Sequence, residues 1–339
     1  MTESLSLLKP ASIIRFFENN RVLRYMPRLL WRLVFQRDHD CPLKDHFSDR
    51  VFDLEETQSF IGQAICSNRS AMVARFGNVE LNVLINYWLG REKNGFRLLN
   101  RYFNHRNTPF WTRRNSFRLS ENAGFFPLEP AEINAFCELM LDCLKDVDLL
   151  ASWADGENIF SEQLKDVHIG SLDCINPFFT QNPWSAQLVG KRVLVIHPFS
   201  ESIRKQYEEK RLALFANSSI LPEFELLTIQ AVQSIAGNNA GFLTWFDALD
   251  SMKTQISALD FDVAIIGCGA YGFPLASFVK RMGRVAIHMG GATQLLFGIK
   301  GRRWEEIPEF NGLFNAAWVR PLPSEVPQNH QIVEGGCYW

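Results

Sequence analysis

The chain has 339 residues, of which 47% are hydrophobic and 21% are charged, and its formal net charge is −2. These values are typical of a globular protein with one large domain or two modest ones, and they exclude a globally basic nucleic-acid binder. No apolar run approaches the roughly 18 residues that cross a bilayer. Seven cysteines form no C-x-x-C pair and seven histidines form no zinc-binding pattern, so we expect a cytoplasmic protein in which oxygen atoms hold any metal.

Residues 9–37 carry seven lysine and arginine side chains against Glu18 alone, interleaved with apolar residues. This pattern predicts a basic amphipathic helical arm that Pro27 kinks or splits. Two interpretations remain open: the arm packs on the domain with solvated arginines, or it lies on an anionic membrane surface at the inner face of a membrane. We expect residues 1–50 to form this arm and a linker, residues 51–320 a single domain, and residues 321–339 a surface tail.

The front of the domain begins with a predicted helix over 53–67, where Asp53 and Glu56 have the spacing of a capping box. A strand over 71–76 follows, and after Gly77 the apolar spacing predicts a helix that buries one face. This succession of strand, glycine turn and helix N-terminus is the arrangement that binds phosphate in α/β proteins.

Residues 91–118 form the strongest basic patch, with eight lysine and arginine side chains against Glu92 and several aromatic residues. The acidic segment 129–166 could neutralise it within the fold. Alternatively, the patch could bind an anionic substrate, or single-stranded nucleic acid through phosphate contacts and base stacking. Pairing or solvation is the preferred interpretation, and no nucleic-acid partner is expected.

The back half alternates apolar runs with helical patterns, which predicts a parallel sheet. We predict strands at 149–153, 192–197, 224–229, 262–266 and 285–289, with 316–319 as a candidate last strand, and helices near 201–216, 244–258 and 272–282. The expected fold is therefore α/β, with a Rossmann-like, mostly parallel sheet of six or seven strands flanked by helices, preceded by the N-terminal helical arm.

The segment from Gly267 through Gly269 to Gly272 matches the dinucleotide pattern G-x-G-x-x-G between a strand and a helix. The acidic residue that would hold an adenine ribose about 20 residues later is missing, because the next strand ends at His288. A nucleotide or nucleotide-sugar site is therefore favoured over a nicotinamide site. The glycines could alternatively serve only close packing of the helix on the strand.

Other strand ends should meet this loop at the same edge of the sheet. Ser200 and Ser202 could cap a helix and present N–H groups to phosphate. His197 and His288 are candidates for an acid, a base or a phosphate contact, although a structural histidine is the commoner case. Gly290 follows the strand that ends at His288.

Arg75 and Glu80 flank the glycine turn at the front. Arg75 could neutralise a diphosphate. Glu80 could bind a cation, hold a ribose hydroxyl or act as a base on an acceptor hydroxyl. The alternative is a helix-dipole carboxylate in a structural ion pair, and we expect this strand-end side chain to lie at the surface.

The segment Arg75-Phe-Gly-Asn-Val-Glu80, with the late glycine loop and the 286–290 segment, resembles the GT-D type bacterial glycosyltransferases over roughly residues 55–300. The resemblance implies a Rossmann-like fold and transfer of a sugar from a nucleotide-diphosphate donor. It also implies donor binding near Arg75, Gly77, Asn78 and Glu80. The family's D-x-E segment contacts metal and donor, and here Asn78 replaces its first acidic residue. Binding of Mn²⁺ or Mg²⁺ by Asn78 and Glu80 is therefore a weak expectation.

The leading hypothesis is a glycosyltransferase of bacterial surface polysaccharide or glycoconjugate synthesis. Its acceptor would be a glycan or a lipid-pyrophosphate-linked sugar, with Glu80, His197 or His288 in the chemistry. The alternatives are an NAD(P)-dependent oxidoreductase that uses the 267–272 loop and a noncatalytic nucleotide-sugar-binding scaffold.

Overall fold

The computed structural model describes residue 47, residues 51–92, residue 95, residue 108, residues 110–238 and residues 240–339. Its centre is one eight-stranded, all-parallel sheet with the strand order β1-β4-β3-β2-β8-β7-β5-β6. The predicted α/β class is confirmed, with eight strands in place of six or seven. The strands are β1 Val51–Phe52, β2 Ala71–Ala74, β3 Leu149–Ser152, β4 His168–Ser171, β5 Arg192–His197, β6 Glu225–Gln230, β7 Val263–Ile266 and β8 Val285–His288.

Helices cover both faces of this sheet. The longer ones are α1 Leu54–Cys66, α2 Asn78–Gly90, α3 Arg113–Ala123, α4 Pro130–Cys143, α5 Ser200–Leu214, α6 Trp245–Ser257 and α7 Gly272–Arg281, and two single turns follow, α8 Thr293–Leu296 and α9 Arg302–Glu305. The predicted capping box of α1 is present, with reciprocal bonds between Asp53 and Glu56 of 2.9 Å each. Within the described ranges, no helix is both long and apolar enough to cross a membrane.

The inner strands β2, β3, β7 and β8 are buried on both faces, which explains why their sequences are largely apolar. In β2, Met72 and Ala74 join the hydrophobic cluster on one face, and Ala71 and Val73 join the cluster on the other. A parallel strand alternates its side chains in this way. Even short strands therefore place apolar side chains against both helical layers.

The pairing of β2 with β8 joins the front and back halves of the chain. Ala71, Met72 and Val73 lie opposite Val285, Ala286 and Ile287. Because all strands are parallel, the carboxyl ends of β2, β3, β5, β6, β7 and β8 lie at one edge of the sheet. Open α/β sheets bind ligands at this edge.

Three predictions need comment. Residues 316–319 do not form a sheet strand: Val319 makes only an isolated bridge with Ile299, because its backbone pairs with Gly298 and Lys300 and not with a strand of the sheet. The predicted arm at 9–37 lies outside the described residues, as does most of the basic segment between 93 and 107. The tail over 321–339 contains two short 3₁₀ turns, Pro323–Glu325 and His330–Ile332, and its residues Glu325, Val333 and Cys337 are buried.

Gly272 gives a direct test of packing at the start of α7. A Cβ atom at this position would overlap the ring of His288, which is buried in the sheet edge and cannot move aside. We expect Gly272→Ala to lower the free energy of unfolding by about 1–3 kcal/mol, as overpacking usually does. Gly312→Ala is the matched control, because its added methyl group meets no atom within 4 Å. Equal denaturant midpoints for the two variants would contradict this account of Gly272.

Candidate functional site

One cleft lies at the carboxyl edge of the sheet. It is lined by residues that follow six of the strands, β2, β3, β5, β6, β7 and β8, together with the end of α3 and the C-terminal tail. The structure places nine predicted site residues in its wall: Arg75, Gly77, Asn78, Glu80, His197, Gly267, Gly269, His288 and Gly290. A single site requires that Glu80 and Gly269 lie on the same edge, and they do. Ser200, Ser202 and Gly272 do not line the cleft.

Arg75 follows β2 directly and extends into the floor of the cleft. Its guanidinium carbon lies 4.7 Å from the centre of the Trp153 ring, a cation–π contact. Gly290 has φ +62°, and a Cβ atom there would lie 2.9 Å from Arg75 Nη1, so glycine is what lets the guanidinium approach this backbone. Burial lowers the pKa of Arg75, and Glu80 and Glu157 oppose this only through space. The floor of the cleft therefore carries a desolvated positive charge.

Glu80 is buried, with 8% of its surface exposed, which contradicts the expectation of a surface carboxylate. The reason is local: Glu80 lies in the first turn of α2 and its carboxylate folds back over Gly77, where a Cβ atom would overlap it. Burial raises the pKa of Glu80, while its own backbone N–H and Arg75 lower it. A carboxylate with a raised pKa next to a guanidinium is suited to accept a proton or a hydroxyl hydrogen bond.

Arg303 is a second guanidinium in the cleft wall, from helix α9. Its Nη1 donates to the Tyr338 hydroxyl at 3.0 Å, its guanidinium carbon lies 4.7 Å from the Tyr338 ring centre, and its Nη2 pairs with Glu334. Sequence reasoning missed Arg303, Glu334, Tyr338 and the neighbouring Trp339. No motif surrounds them, although the density of aromatic residues at 338–339 is a signal that could have drawn attention to the tail.

The two histidines have different hydrogen-bonding capacities. Nδ1 of His197 accepts from the backbone N–H of Phe199 at 3.0 Å, so the neutral ring carries its proton on Nε2 and can only donate to a ligand. Nδ1 of His288 lies 3.1 Å from the Ile266 carbonyl, which can only accept, so Nε2 of His288 keeps a free lone pair. Burial lowers the pKa of each ring to about 3, and Arg75 adds to the effect at His288. Of the roles predicted for His197, a contact to phosphate is compatible with this tautomer and a general base is not.

The structure itself requires glycine at each of the three positions of the G-x-G-x-x-G segment, either to avoid a steric clash or to adopt a positive φ. A Cβ atom on Gly267 would lie 2.5 Å from the Gly290 carbonyl oxygen and 2.7 Å from Thr293 Oγ1. Gly269 has φ +55°, and Gly272 makes room for His288. The motif thus brings the ends of β7 and β8 together, which is the packing interpretation, while Gly267 and Gly269 still expose backbone to the cleft.

The N-terminus of α5 already holds an anionic partner from the tail. The buried carboxylate of Glu325 accepts from the backbone N–H of Glu201 at 2.8 Å and of Ser202 at 3.3 Å, and from the Ser202 hydroxyl. The helix dipole favours a negative charge at this position. Ser202 therefore binds the tail, and the predicted phosphate contacts at Ser200 and Ser202 have no access to the cleft in this structure.

Asn78 and Glu80 do not fit a divalent cation well. Glu80 supplies one buried carboxylate, and the amide oxygen of Asn78 accepts from Asn82 Nδ2 at 3.0 Å. In the described part of the chain, no group of three or more His, Cys, Asp or Glu side chains could hold a metal ion. Hard cations take several oxygen ligands, commonly with more than one carboxylate. Arg75 acts on Glu80 only through space and lowers the pKa of Glu80 against the larger effect of burial.

Three polar atoms of cleft-lining residues are buried without a hydrogen-bond partner: Arg75 Nε, Gln294 Oε1 and Trp339 Nε1. Buried polar groups in folded proteins are normally paired, so unpaired ones require a specific reason. Two of these atoms are donors and one is an acceptor. All three atoms are shielded from solvent, so these cleft residues carry polar groups that the fold leaves unpaired.

The basic segment after α2 pairs with the acidic segment at one point, where Arg91 Nη1 lies 3.1 Å from Glu138 Oε1. The acidic residues Asp142, Asp146 and Asp148 pair instead with Lys145 and with Lys280 and Arg281 of α7. In the described residues, Arg113, Arg114 and Arg118 of α3 form no ion pair and are exposed. The expected internal neutralisation is thus limited to Arg91 among these four arginines.

The fold and the cleft define an α/β protein with two arginines, Arg75 and Arg303, in a cleft at the carboxyl edge of a parallel sheet. No protein-family model and no curated protein matches this chain. Two solved structures are similar to it over 84% of this chain and 96% of theirs, at 11% identity and a TM-score of 0.40. One is described as the highly conserved domain of unknown function 1792 with a distinct glycosyltransferase fold, and the other is the selenomethionine-substituted form of that domain. Similarity at this level leaves function to be argued from the cleft.

Glu157 acts on Arg75 through space, and its protonation can be tested through the pH dependence of the free energy of unfolding. Its buried carboxylate accepts from the Ser152 hydroxyl and from the backbone N–H of Ala154 at 3.3 Å, and burial raises its pKa to about 7. The unfolded chain therefore releases this proton at lower pH than the folded protein does, so stability falls as pH rises from about 4.5 to 7 and levels off above.

We expect the loss to reach about 3 kcal/mol and to be absent from Glu157→Gln, which keeps the shape of the protonated acid. The measurement is the free energy of unfolding of both proteins across this pH range. Parallel curves for the two proteins would contradict the raised pKa of Glu157.

Proposed function

We propose that the protein is a glycosyltransferase that uses a nucleotide-diphosphate sugar as donor. The observation that carries the proposal is the pair of guanidinium groups in one cleft, Arg75 from the end of β2 and Arg303 from α9. Arginine binds phosphate oxygens through a planar set of donors, and a diphosphate presents two such groups. The resemblance of the 75–80 segment to GT-D type enzymes supports the same assignment.

In the proposed reaction, the bond between the sugar's anomeric carbon and the diphosphate oxygen breaks, and the nucleoside diphosphate leaves with the electron pair. A bond from the acceptor oxygen to the anomeric carbon forms, and the acceptor proton goes to a base. Arg75 and Arg303 stabilise the charge that develops on the leaving group. The Nε2–H of His197 is a further donor to it.

Glu80 is the proposed base, because its raised pKa favours proton uptake and its carboxylate lies in the wall of the cleft. The lone pair on His288 Nε2 can orient the acceptor hydroxyl. Mn²⁺ or Mg²⁺ would have to be held by Glu80 and Asn78, which supply few ligands, so no step is assigned to a metal.

An NAD(P)-dependent oxidoreductase is less well supported, because the glycines of the 267–272 segment serve contacts within the protein. A noncatalytic nucleotide-sugar-binding scaffold agrees with the same cleft. A transferase would turn over the donor when an acceptor is present, whereas such a scaffold would only bind the donor.

The first test is ligand binding by calorimetry with UDP-, GDP-, CMP- and dTDP-sugars, NAD(H) and NADP(H), with and without Mn²⁺ or Mg²⁺. We expect one nucleotide-diphosphate sugar to bind. Loss of a charged hydrogen bond should make Arg75→Gln bind it on the order of 10–100 times more weakly. Arg69→Gln is the control, because this exposed arginine precedes the amino end of β2. Binding of a nicotinamide nucleotide alone would reject the proposal.

The second test separates catalysis from binding. We expect Glu80→Gln to bind the donor but to lose transfer to a glycan or lipid-linked acceptor, by about 100-fold or more, as removal of a general base does. Because glutamine keeps the shape of the buried glutamate side chain, the variant should fold with little loss of stability. Full transfer by Glu80→Gln would remove Glu80 from the mechanism, and donor binding without turnover in the wild type would favour the scaffold.

We propose further that α3 faces an acceptor at an anionic membrane surface of the cytoplasm, in bacterial surface polysaccharide or glycoconjugate synthesis. Arg113, Arg114 and Arg118 are exposed on this helix with Phe117, which has 55% of its surface exposed, and the last residues of α3 line the cleft. Arginines and an exposed aromatic ring are suited to anionic headgroups. The basic arm at residues 9–37 is proposed as a second contact.

Vesicle sedimentation tests this surface. Substitution of Arg113, Arg114 and Arg118 with glutamine should weaken binding to phosphatidylglycerol vesicles on the order of 100-fold, at about 1 kcal/mol per charge. The control replaces the exposed Lys165, Lys205 and Lys210, which removes the same charge elsewhere. Equal binding by the two triple variants would contradict a role for α3.

A further inference from the structure

Trp153 is an exposed aromatic side chain in the wall of a cleft. It is the first residue after β3, and 44% of its surface is exposed although its ring lies over the buried Arg75. The proposed mechanism assigns it no role. A large apolar ring in this position is unusual for packing alone, because nearly half of its surface stays in contact with water.

The ring is nevertheless held in one orientation. Trp153 Nε1 donates to the backbone carbonyl of Phe76 at 2.8 Å, which ties the indole to the turn that follows β2. On the other side, the buried carboxylate of Glu157 holds the backbone, accepting from Trp153 N–H at 3.5 Å and from Ala154 N–H at 3.3 Å. Arg75 covers part of the ring at 4.7 Å. Exposed and fixed, the indole is a preorganised surface.

We propose that Trp153 is the stacking platform for the transferred sugar ring of the donor, an inference that rests on the proposed function. The proximity of Trp153 to Arg75 indicates which part of the donor, the sugar or the base, stacks on the indole. In a nucleotide-diphosphate sugar, the sugar is bonded directly to the diphosphate, whereas the ribose separates the base from it. A ring surface that contacts the diphosphate-binding guanidinium therefore lies next to the sugar. The apolar C–H face of a pyranose packs on the indole, and its hydroxyl groups face the polar wall.

The other polar and aromatic groups of the cleft agree with this arrangement. Arg75 bonds the diphosphate while its π contact with Trp153 fixes the guanidinium, so the charged and stacking contacts reinforce one another. Tyr338 and Trp339 come from the tail, with ring centres 5.9 Å apart, and Trp339 lies 6.3 Å from Phe199. This second aromatic group is available to the nucleoside.

The test compares the sugar-bearing donor with its bare nucleoside diphosphate, using the nucleotide that the wild type binds. We expect Trp153→Ala to weaken binding of the donor by about 10–100-fold, in the range measured when an aromatic stacking partner is removed, and to weaken the bare nucleoside diphosphate at least about tenfold less. Trp153→Phe keeps a ring over Arg75 and should retain most of the donor affinity, whereas Trp153→Leu should behave like alanine. Leu212→Ala, which removes an exposed apolar side chain of α5 outside the cleft, is the control.

Each outcome has one meaning. Equal losses for the donor and the bare nucleoside diphosphate would show that Trp153 serves the nucleoside or Arg75 alone, and would overturn the sugar assignment. No loss for either ligand, with folding confirmed by circular dichroism, would reject a ligand platform at Trp153. Failure of the wild type to bind any nucleotide sugar would instead reject the proposed function, which keeps the two failures distinct.

Discussion

The pairing of β2 with β8 is the constraint on which the site depends. These neighbouring strands come from opposite ends of the domain, and their parallel register brings Arg75 at the end of one beside Gly290 at the end of the other. Only a residue without a Cβ atom leaves room for the guanidinium at this distance. The same register places His288 against Gly272 and allows the loop after β7 to close on the loop after β8. The cleft is thus a consequence of strand order combined with small residues at the strand ends.

Much of this arrangement can be read from the sequence. The six principal strands are apolar runs, and parallel strands place their carboxyl ends together, so the convergence of Arg75, Glu80, His197 and His288 is predictable without coordinates. The strands β1 and β4 were missed because β1 has two residues and β4, His168–Ser171, contains a single large apolar residue, Ile169, so neither is an apolar run. Burial of Glu80 was also missed, since a carboxylate in the first turn of a helix usually faces solvent.

The parts that could not be predicted depend on contacts distant in sequence. Ser202 has the signature of a helix cap that could bind phosphate, but its partner is Glu325, 123 residues away. Likewise, the G-x-G-x-x-G pattern looks the same whether the space left by glycine admits a pyrophosphate or the ring of His288. Arg303, Tyr338 and Trp339 reach the cleft through a tail without regular periodicity. Local sequence shows which residue is small or polar, but not what fills the space beside it.

The electrostatics of the cleft favour an anionic ligand held by side chains. Burying a guanidinium costs several kcal/mol unless an opposite charge compensates, and a cation–π contact such as that with Trp153 returns only about 0.5–2 kcal/mol. Glu80 and Glu157 act on Arg75 through space, and burial raises the pKa of both carboxylates, so they compensate it incompletely. Arg303 adds a second positive charge, partly offset by Glu334. A diphosphate would supply the missing negative charge to both guanidinium groups. If the protein binds a nucleotide-diphosphate sugar as proposed, Arg75 and Arg303 would neutralise the diphosphate charge that a metal held by a D-x-E segment would otherwise neutralise, and the donor site would then not require an acidic residue at Asn78.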